Sequence, residues 1–282
     1  MDWNKASTIL IVAFIVLNIF LFSSSFNDIF SEEYDVYSDQ DFIDNIGNLL
    51  KKKNLSIKSE LPKETYILPT LDTEYEIIQI SNELLERFLG SGVEPIEDVY
   101  TYSNGKGEVL EFTEGKKLHY IVRERISGET LSNESLTEHI NKFIEDKKIN
   151  STGYSENYRH ISNKDIFVVY TKKYNNYSMD NSYMKFYFDK DGIYKFEMQN
   201  IAAVKETADK IRTFSAAEAL PRLLSYKDLE NKEIIHMEMT FYSEEDENWQ
   251  YISRINSDPV WKVIFNDGTQ KHLSSINTYN ID

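Results

Sequence analysis

Residues 183–198 read YMKFYFDKDGIYKFEM. Two runs rich in aromatic and apolar residues flank Asp189-Lys190-Asp191-Gly192, a turn of the kind that closes a β-hairpin. The same pattern recurs on either side. Residues 109–113 and 118–125 surround Glu114-Gly115-Lys116, and residues 260–265 and 269–274 surround Asn266-Asp267-Gly268. Residues 233–243 alternate, with Ile235, Met237, Met239 and Phe241 on one face and His236, Glu238, Thr240 and Tyr242 on the other. Shorter strand signals lie at 55–58, at 64–68 between Pro62 and Pro69, at 74–80, at 99–102 before a turn at Asn104-Gly105-Lys106-Gly107, and at 166–172.

Four helices punctuate these strands. Asp39 or Asp41 caps one that runs to about Lys53, with Phe42, Ile43, Ile46, Leu49 and Leu50 on its apolar face. Ser81 caps a second, with Leu84, Leu85, Phe88 and Leu89, stopped by Gly90-Ser91-Gly92. Ser132 or Ser135 starts a third, reaching about Lys148, in which Ser135 and Glu138 fit a capping box. Ser215-Ala216-Ala217-Glu218 is a capping box for the fourth, which Pro221 shortens or bends. The order is helix then strands, repeated along the chain, without βαβ alternation. That predicts an α+β body of antiparallel sheets with helices packed on one face. A lobe of residues 39–150 and a C-terminal lobe of 151–282 divide it.

Ahead of this body, residues 6–26 (ASTILIVAFIVLNIFLFSSSF) hold no charge, proline or glycine. The stretch is long enough to span a bilayer as a helix, about 20 apolar residues being needed. The alternative is a cleaved signal peptide, for which Ser23-Ser24-Ser25 supplies small residues. Against it, Asp2 and Lys5 cancel in the leading segment, and Phe14, Phe20, Phe22 and Phe26 are bulky. The expected layout is a cytoplasmic tail (1–5), a transmembrane helix (6–26), a juxtamembrane linker (27–38) and an extracytoplasmic body, the acidic flank at Asp28, Glu32, Glu33 and Asp35 lying outside. Asn18 is the one strongly polar residue of the span. With Ile11, Phe14, Ile15, Phe22 and Ser25 it forms a candidate partner-binding face. The other reading is that its amide bonds to its own backbone or to a lipid headgroup.

The net charge of −16 argues against nucleic acid and against lying flat on anionic lipid. Without cysteine, neither disulfides nor thiol chemistry operate. The five histidines, His119, His139, His160, His236 and His272, have no metal-ligand spacing, and no nucleophile elbow or phosphate loop is present. His236 reads as a surface histidine, the 189–192 stretch as a turn rather than the start of a calcium loop, and Glu244-Glu245-Asp246-Glu247 as a solvated loop. No catalytic residue, cofactor or metal is assigned. Residue chemistry therefore favours binding over catalysis.

The start, Met1-Asp2-Trp3-Asn4-Lys5 with Thr8-Ile9-Leu10-Ile11-Val12 and Leu17-Asn18-Ile19-Phe20-Leu21, resembles the YycI family. So do Ala216-Ala217-Glu218-Ala219-Leu220, Glu238-Met239-Thr240-Phe241-Tyr242, and Pro259-Val260-Trp261-Lys262-Val263 with Asn266-Asp267-Gly268. The resemblance implies a single-pass membrane protein of Gram-positive bacteria whose body resembles the C-terminal domains of YycH. It implies a non-catalytic regulator that acts with a YycH-like sister protein on the WalK sensor histidine kinase of the WalK/WalR system, which controls cell-wall metabolism. The competing expectation is an extracytoplasmic, membrane-anchored cell-wall enzyme or ligand-binding protein.

Overall fold

The computed structural model describes residues 39–96, 100–126, 131–163, 165–245 and 252–276. The expected span, its partner-binding face and the linker lie outside them. Among the described residues no helix is long and apolar enough to cross a membrane. The chain falls into two units, Met1–Asn48 and Leu49–Asp282. Of the first, the described part is the opening of helix α1 (Asp39–Lys51). In the second, Leu50 ends that helix fully buried, whereas Leu49, expected on the apolar face, is largely exposed.

The second unit is dominated by one sheet. Its strands are β1 (Ser56–Ile57), β2 (Ile67–Tyr75), β3 (Glu94–Pro95), β4 (Thr101–Ser103), β5 (Val109–Thr113), β6 (Lys117–Ile121), β7 (Tyr154–Ile161), β8 (Ile166–Tyr174), β9 (Tyr177–Asp189), β10 (Gly192–Gln199), β11 (Ile201–Arg212), β12 (Glu233–Tyr242), β13 (Arg254–Phe265) and β14 (Gln270–Ser274). They run β11-β2-β13-β12-β9-β10-β6-β5-β4-β3, with β1 beside β12, β14 beside β13, β8 beside β9 and β7 beside β8. The predicted hairpins form: β9 turns into β10 through Asp189 and Gly192, and β13 into β14 through Asn266-Asp267-Gly268. At the first turn Asp189 takes a two-pronged ion pair from Arg123 and accepts from the backbone N–H of Ile126 and Asp191, so its carboxylate is spent on holding the turn.

The sheet is mixed rather than antiparallel. β12 runs parallel to the start of β9, pairing Thr240 with Ser178 and Phe241 with Met179, and β1 runs parallel to β12. Long-range crossovers, not hairpins, make these neighbours, so no local turn signal announces them. Expected strands at 64–68 and 74–80 are one strand, β2, which passes through Pro69. Proline has no N–H to give a ladder, and Pro69 sits opposite Lys210 where the β11 register slips between Glu206 and Lys210. β7 and β11 carry no strand expectation because their sequences are polar and charged. Each pairs on one side, β7 with β8 and β11 with β2, and charge suits an edge. In β12 the register slips between Ile234 and His236, so Ile234 is fully buried and Ile235 points outward.

Helices α2 (Asn82–Leu89) and α3 (Asn133–Asp146) cover one face of the sheet. Phe88, Leu136, Ile140 and Phe143 pack there on Leu118, Tyr120, Met184, Phe186 and Phe196. Ser81 caps α2 by accepting from the Leu84 N–H, as its position predicts. α3 is capped by Ser132, which accepts from the Ser135 N–H; the Ser135–Glu138 box does not form. The Ser215–Glu218 box does form, opening α4 (Ala216–Ala219), and Pro221 turns the continuation into a 3₁₀ helix, Leu220–Ser225. Trp261 is fully buried beside it and donates its indole N–H to the Phe214 carbonyl at 2.9 Å.

Trp261→Ala is therefore expected to destabilise the fold by about 3–5 kcal/mol, the range for a buried large aromatic. Urea denaturation is the measurement. A loss below about 1 kcal/mol, the size of a surface substitution, would mean that the ring does not carry the packing described.

Candidate functional site

The face of the sheet opposite α2 and α3 carries charge. It is organised along the parallel seam between β9 and β12. Ser178 donates its hydroxyl to Thr240 Oγ1 at 2.9 Å, and the Thr240 hydroxyl donates to the Ser178 carbonyl at 2.7 Å. Further along, the Asn181 amide donates to the Ser243 carbonyl at 3.0 Å and accepts from the Ser243 N–H at 2.7 Å. Side chains thus continue a seam that the backbone ladder pairs only briefly.

Lys262 of β13 lies 1% exposed beside this seam. A buried ammonium needs ionic or polar partners on all sides. Lys262 has them: Asn157 Oδ1 at 2.5 Å, Asp180 Oδ1 at 3.3 Å and Glu238 Oε1 at 3.2 Å. His272, its register partner on β14, places Nε2 2.6 Å from Asp180 Oδ2 and stacks on Tyr242, with ring centroids 3.7 Å apart. Burial alone would raise the Asp180 pKa; the Lys262 charge and the His272 hydrogen bond outweigh it and hold the carboxyl at about 2.

A second ionic row crosses the same face. His119, Glu197 and Lys185 are successive register partners on β6, β10 and β9. Glu197 accepts from Tyr187 at 3.0 Å, pairs with Lys195 at 2.5 Å and lies 3.7 Å from His119. Burial opposes its charge, and these donors reverse the effect, leaving the carboxyl at about 2. Between the rows opens a cavity of about 200 Å³ lined by Thr171, Asp180, Tyr183, Lys185, Glu197, Lys262 and His272, among others. On the helix side a larger groove, about 450 Å³, runs between residues 76–81, α2 and residues 148–150. It is mixed in character, with Ile77, Leu84 and Phe88 beside Arg87 and Lys116.

A general acid needs a raised carboxyl next to an ionised one. Asp180 and Glu197 are both pushed down, so the cavity holds two fixed anions rather than an acid–base pair. Among the described residues, no three of His, Asp and Glu gather to hold a metal ion. The histidines stay scattered. His236 is on the surface, as expected, 3.7 Å from Glu238. His160 is buried against Phe167, and burial lowers its pKa. His139 lies 2.7 Å from the Ser135 carbonyl. Within the acidic stretch 244–247, Glu245 departs from the expected solvated loop: it is partly buried, pairs with Lys117 at 2.5 Å and accepts from Gln199 at 3.2 Å. Glu244 is exposed, and residues 246 and 247 lie outside the described residues.

The partner-binding face, Ile11, Phe14, Ile15, Asn18, Phe22 and Ser25, likewise lies outside the described residues. Sequence reading missed the seam itself. One signal was available: Lys262 is a lone charge inside the run Pro259-Val260-Trp261-Lys262-Val263-Ile264-Phe265. A charge in so apolar a strand must find a partner, although sequence does not say which.

The geometry defines a sheet-dominated, mixed α+β protein with few helices and a buried ionic seam. A family model described as YycI protein matches residues 35–281, nearly the whole body, and the chain belongs to the YycI family. Its fold resembles the crystal structure of YycH from Bacillus subtilis, with TM-score 0.55 and 14% identity over 81% of this chain. The match spans 61% of the YycH chain, so this chain corresponds to part of that structure. An uncharacterized protein from Eubacterium rectale matches with TM-score 0.45 and 11% identity, over 85% of this chain and 99% of that one. The Bacillus megaterium YpeB C-terminal domain matches with TM-score 0.34 and 9% identity, over 70% and 99%. No curated protein sequence matches.

Two outcomes follow from the seam. Lys262→Met should cost about 3–5 kcal/mol, because it strands the buried Asp180 carboxylate; Lys262→Met with Asp180→Leu should recover part of that loss. Chemical denaturation of the three proteins tests this, and equal losses would dissociate the pair. The second outcome concerns pH. Asp180 titrates at about 2 when folded, below the ordinary carboxyl value of about 3.9. Its stabilisation is thus complete above about pH 4 and fades as pH falls toward 2. Asp180→Asn should flatten the acid limb of stability in that window, read from thermal unfolding between pH 2 and 5.

Proposed function

We propose that this protein is a non-catalytic accessory regulator of a sensor histidine kinase. It binds a WalK-like kinase together with a YycH-like sister protein and so adjusts WalR-dependent control of cell-wall metabolism. The observation that carries this reading is the family match across residues 35–281, supported by the likeness of the fold to YycH. The site chemistry agrees: the carboxylates of the sheet face are locked to cations and serve structure rather than turnover. The protein sits in the cell membrane with a cytoplasmic tail at residues 1–5, one span at 6–26 and the body outside. Asn18, with Ile11, Phe14, Ile15, Phe22 and Ser25, faces a partner helix within the bilayer.

Full-length protein purified from membranes should bring down the kinase and the YycH-like protein, and loss of its gene should change WalR-dependent transcription. Absence of both partners together with unchanged transcription would reject the reading. Within the span, Asn18→Leu should weaken helix association by roughly three- to thirtyfold, the value of about 0.6–2 kcal/mol for one polar group in hydrocarbon. Val12→Leu should do little. A membrane two-hybrid assay at matched expression distinguishes them, and equal signals would move the contact to the body.

A further inference from the structure

We infer that the tip of the β13–β14 hairpin is an acid-released latch: it closes on the β7–β8 pair by packing against His160, and protonation of that imidazole lets it go. This goes beyond the regulatory reading and does not depend on it.

Among the described residues β7 and β8 share no ladder with β13 or β14, yet the two pairs of strands touch. One contact is polar. The Asn157 amide of β7 donates to Glu238 Oε1 at 3.0 Å and accepts from the Lys262 ammonium at 2.5 Å. The other is packing. Gly268, in the turn between β13 and β14, sits against the rings of His160 and Phe167. The approach leaves no room for a side chain: a Cβ on Gly268 would come within 3.1 Å of the imidazole and 2.8 Å of the phenyl ring. His160 and Phe167 are register partners on β7 and β8, and their rings stack with centroids 5.0 Å apart. Both are buried.

A neutral imidazole suits this place better than an imidazolium. Burial disfavours the charged ring. Lys185 of β9, its ammonium 4.2 Å from the Phe167 centroid, adds a like charge. Tyr158, on the same face of β7, brings only a hydroxyl, 3.4 Å from Nδ1. Two carboxylates favour the proton: Asp165 from the β7–β8 turn and Asp267 from the hairpin tip. Each already has a cation, Arg125 at 3.1 Å from Asp165 and Lys232 at 3.0 Å from Asp267. Burial outweighs them and holds the docked imidazole below its ordinary value of about 6.5. A lifted tip lets water reach the ring, which then titrates near that ordinary value. By linkage the docked state is fully favoured above about pH 6.5, and acid shifts the balance toward the lifted state. The shift is at most about tenfold per pH unit and ends at the pKa of the docked ring. Asn157 carries no titratable group, so its contact persists and the release is confined to the tip.

The chain has no cysteine, so two introduced thiols can be spin-labelled without background. Asn163→Cys in the β7–β8 turn and Asn266→Cys at the hairpin tip are both exposed positions. Pulsed EPR on the labelled full-length protein in detergent reads their separation between about pH 7.5 and 5. One short distance is expected at pH 7.5. A longer one should grow as pH falls below about 6.5, by at most about tenfold per pH unit relative to the short one. His160→Phe keeps a stacking ring without a titrating nitrogen, and it should hold the short distance throughout. His160→Gln gives the same reading should the larger ring not fit. Gly268→Ala should show the longer distance at every pH, because its methyl group meets both rings. A separation independent of pH in the labelled parent protein, the same acid response in a folded His160 variant, or the parent's short distance in Gly268→Ala at pH 7.5 would each overturn the inference.

Discussion

The structure depends on a short parallel seam in the middle of a largely antiparallel sheet. β9 and β12 share few backbone partners, and the junction is completed by side chains: Ser178 with Thr240, Asn181 with Ser243, and Lys262 bridging to Asp180 and Glu238. A buried ion pair rarely stabilises more than an apolar substitute would. Its value here is registration. A slip of β13 or β14 by one residue would turn Lys262 or His272 to the opposite face and leave Asp180 a bare buried charge, an error that costs far more than a misplaced methyl group.

That seam separates two kinds of surface. On one side the aromatic core of Phe186, Phe196 and Tyr120 lies under α2 and α3. On the other, the same strands present Tyr183, Lys185, Tyr187 and Glu197, half-buried and cross-linked. Alternation along β9 alone produces both faces. Ordered ionic rows give this face rigidity without a covering layer of helices.

Much of the local structure was legible from the chain. Hairpins at 189–192 and 266–268, the Ser81 cap, the Ser215–Glu218 box and the break at Pro221 all have short-range causes and appear where those causes lie. What escaped was non-local. β7 and β11 are polar strands whose pairing is set by neighbours, and β2 runs through a proline that only its partner's slipped register tolerates. The bulge after Ile234 turned Ile235 outward while Met237, Met239 and Phe241 stayed buried as expected, because an extra residue shifts the alternation on one side of it only. The seam was illegible for the same reason: Lys262 and His272 are hairpin partners, but Asp180 is far from both in sequence and meets them only through the crossover.

The placement of β2 has a consequence for the order in which the molecule is made. β2 lies between β11 and β13, and its partners on β13, Arg254 to Ser257, come from almost the end of the chain. β1 waits likewise for β12. A chain synthesised from its amino end therefore carries an open sheet edge, and Asp180 without its counter-ion, until the last strands are complete. High separation between partners slows closure, and an open edge invites the wrong neighbour. For this architecture the hazardous interval lasts until β13 and β14 emerge, and that hairpin acts as the clasp that ends it.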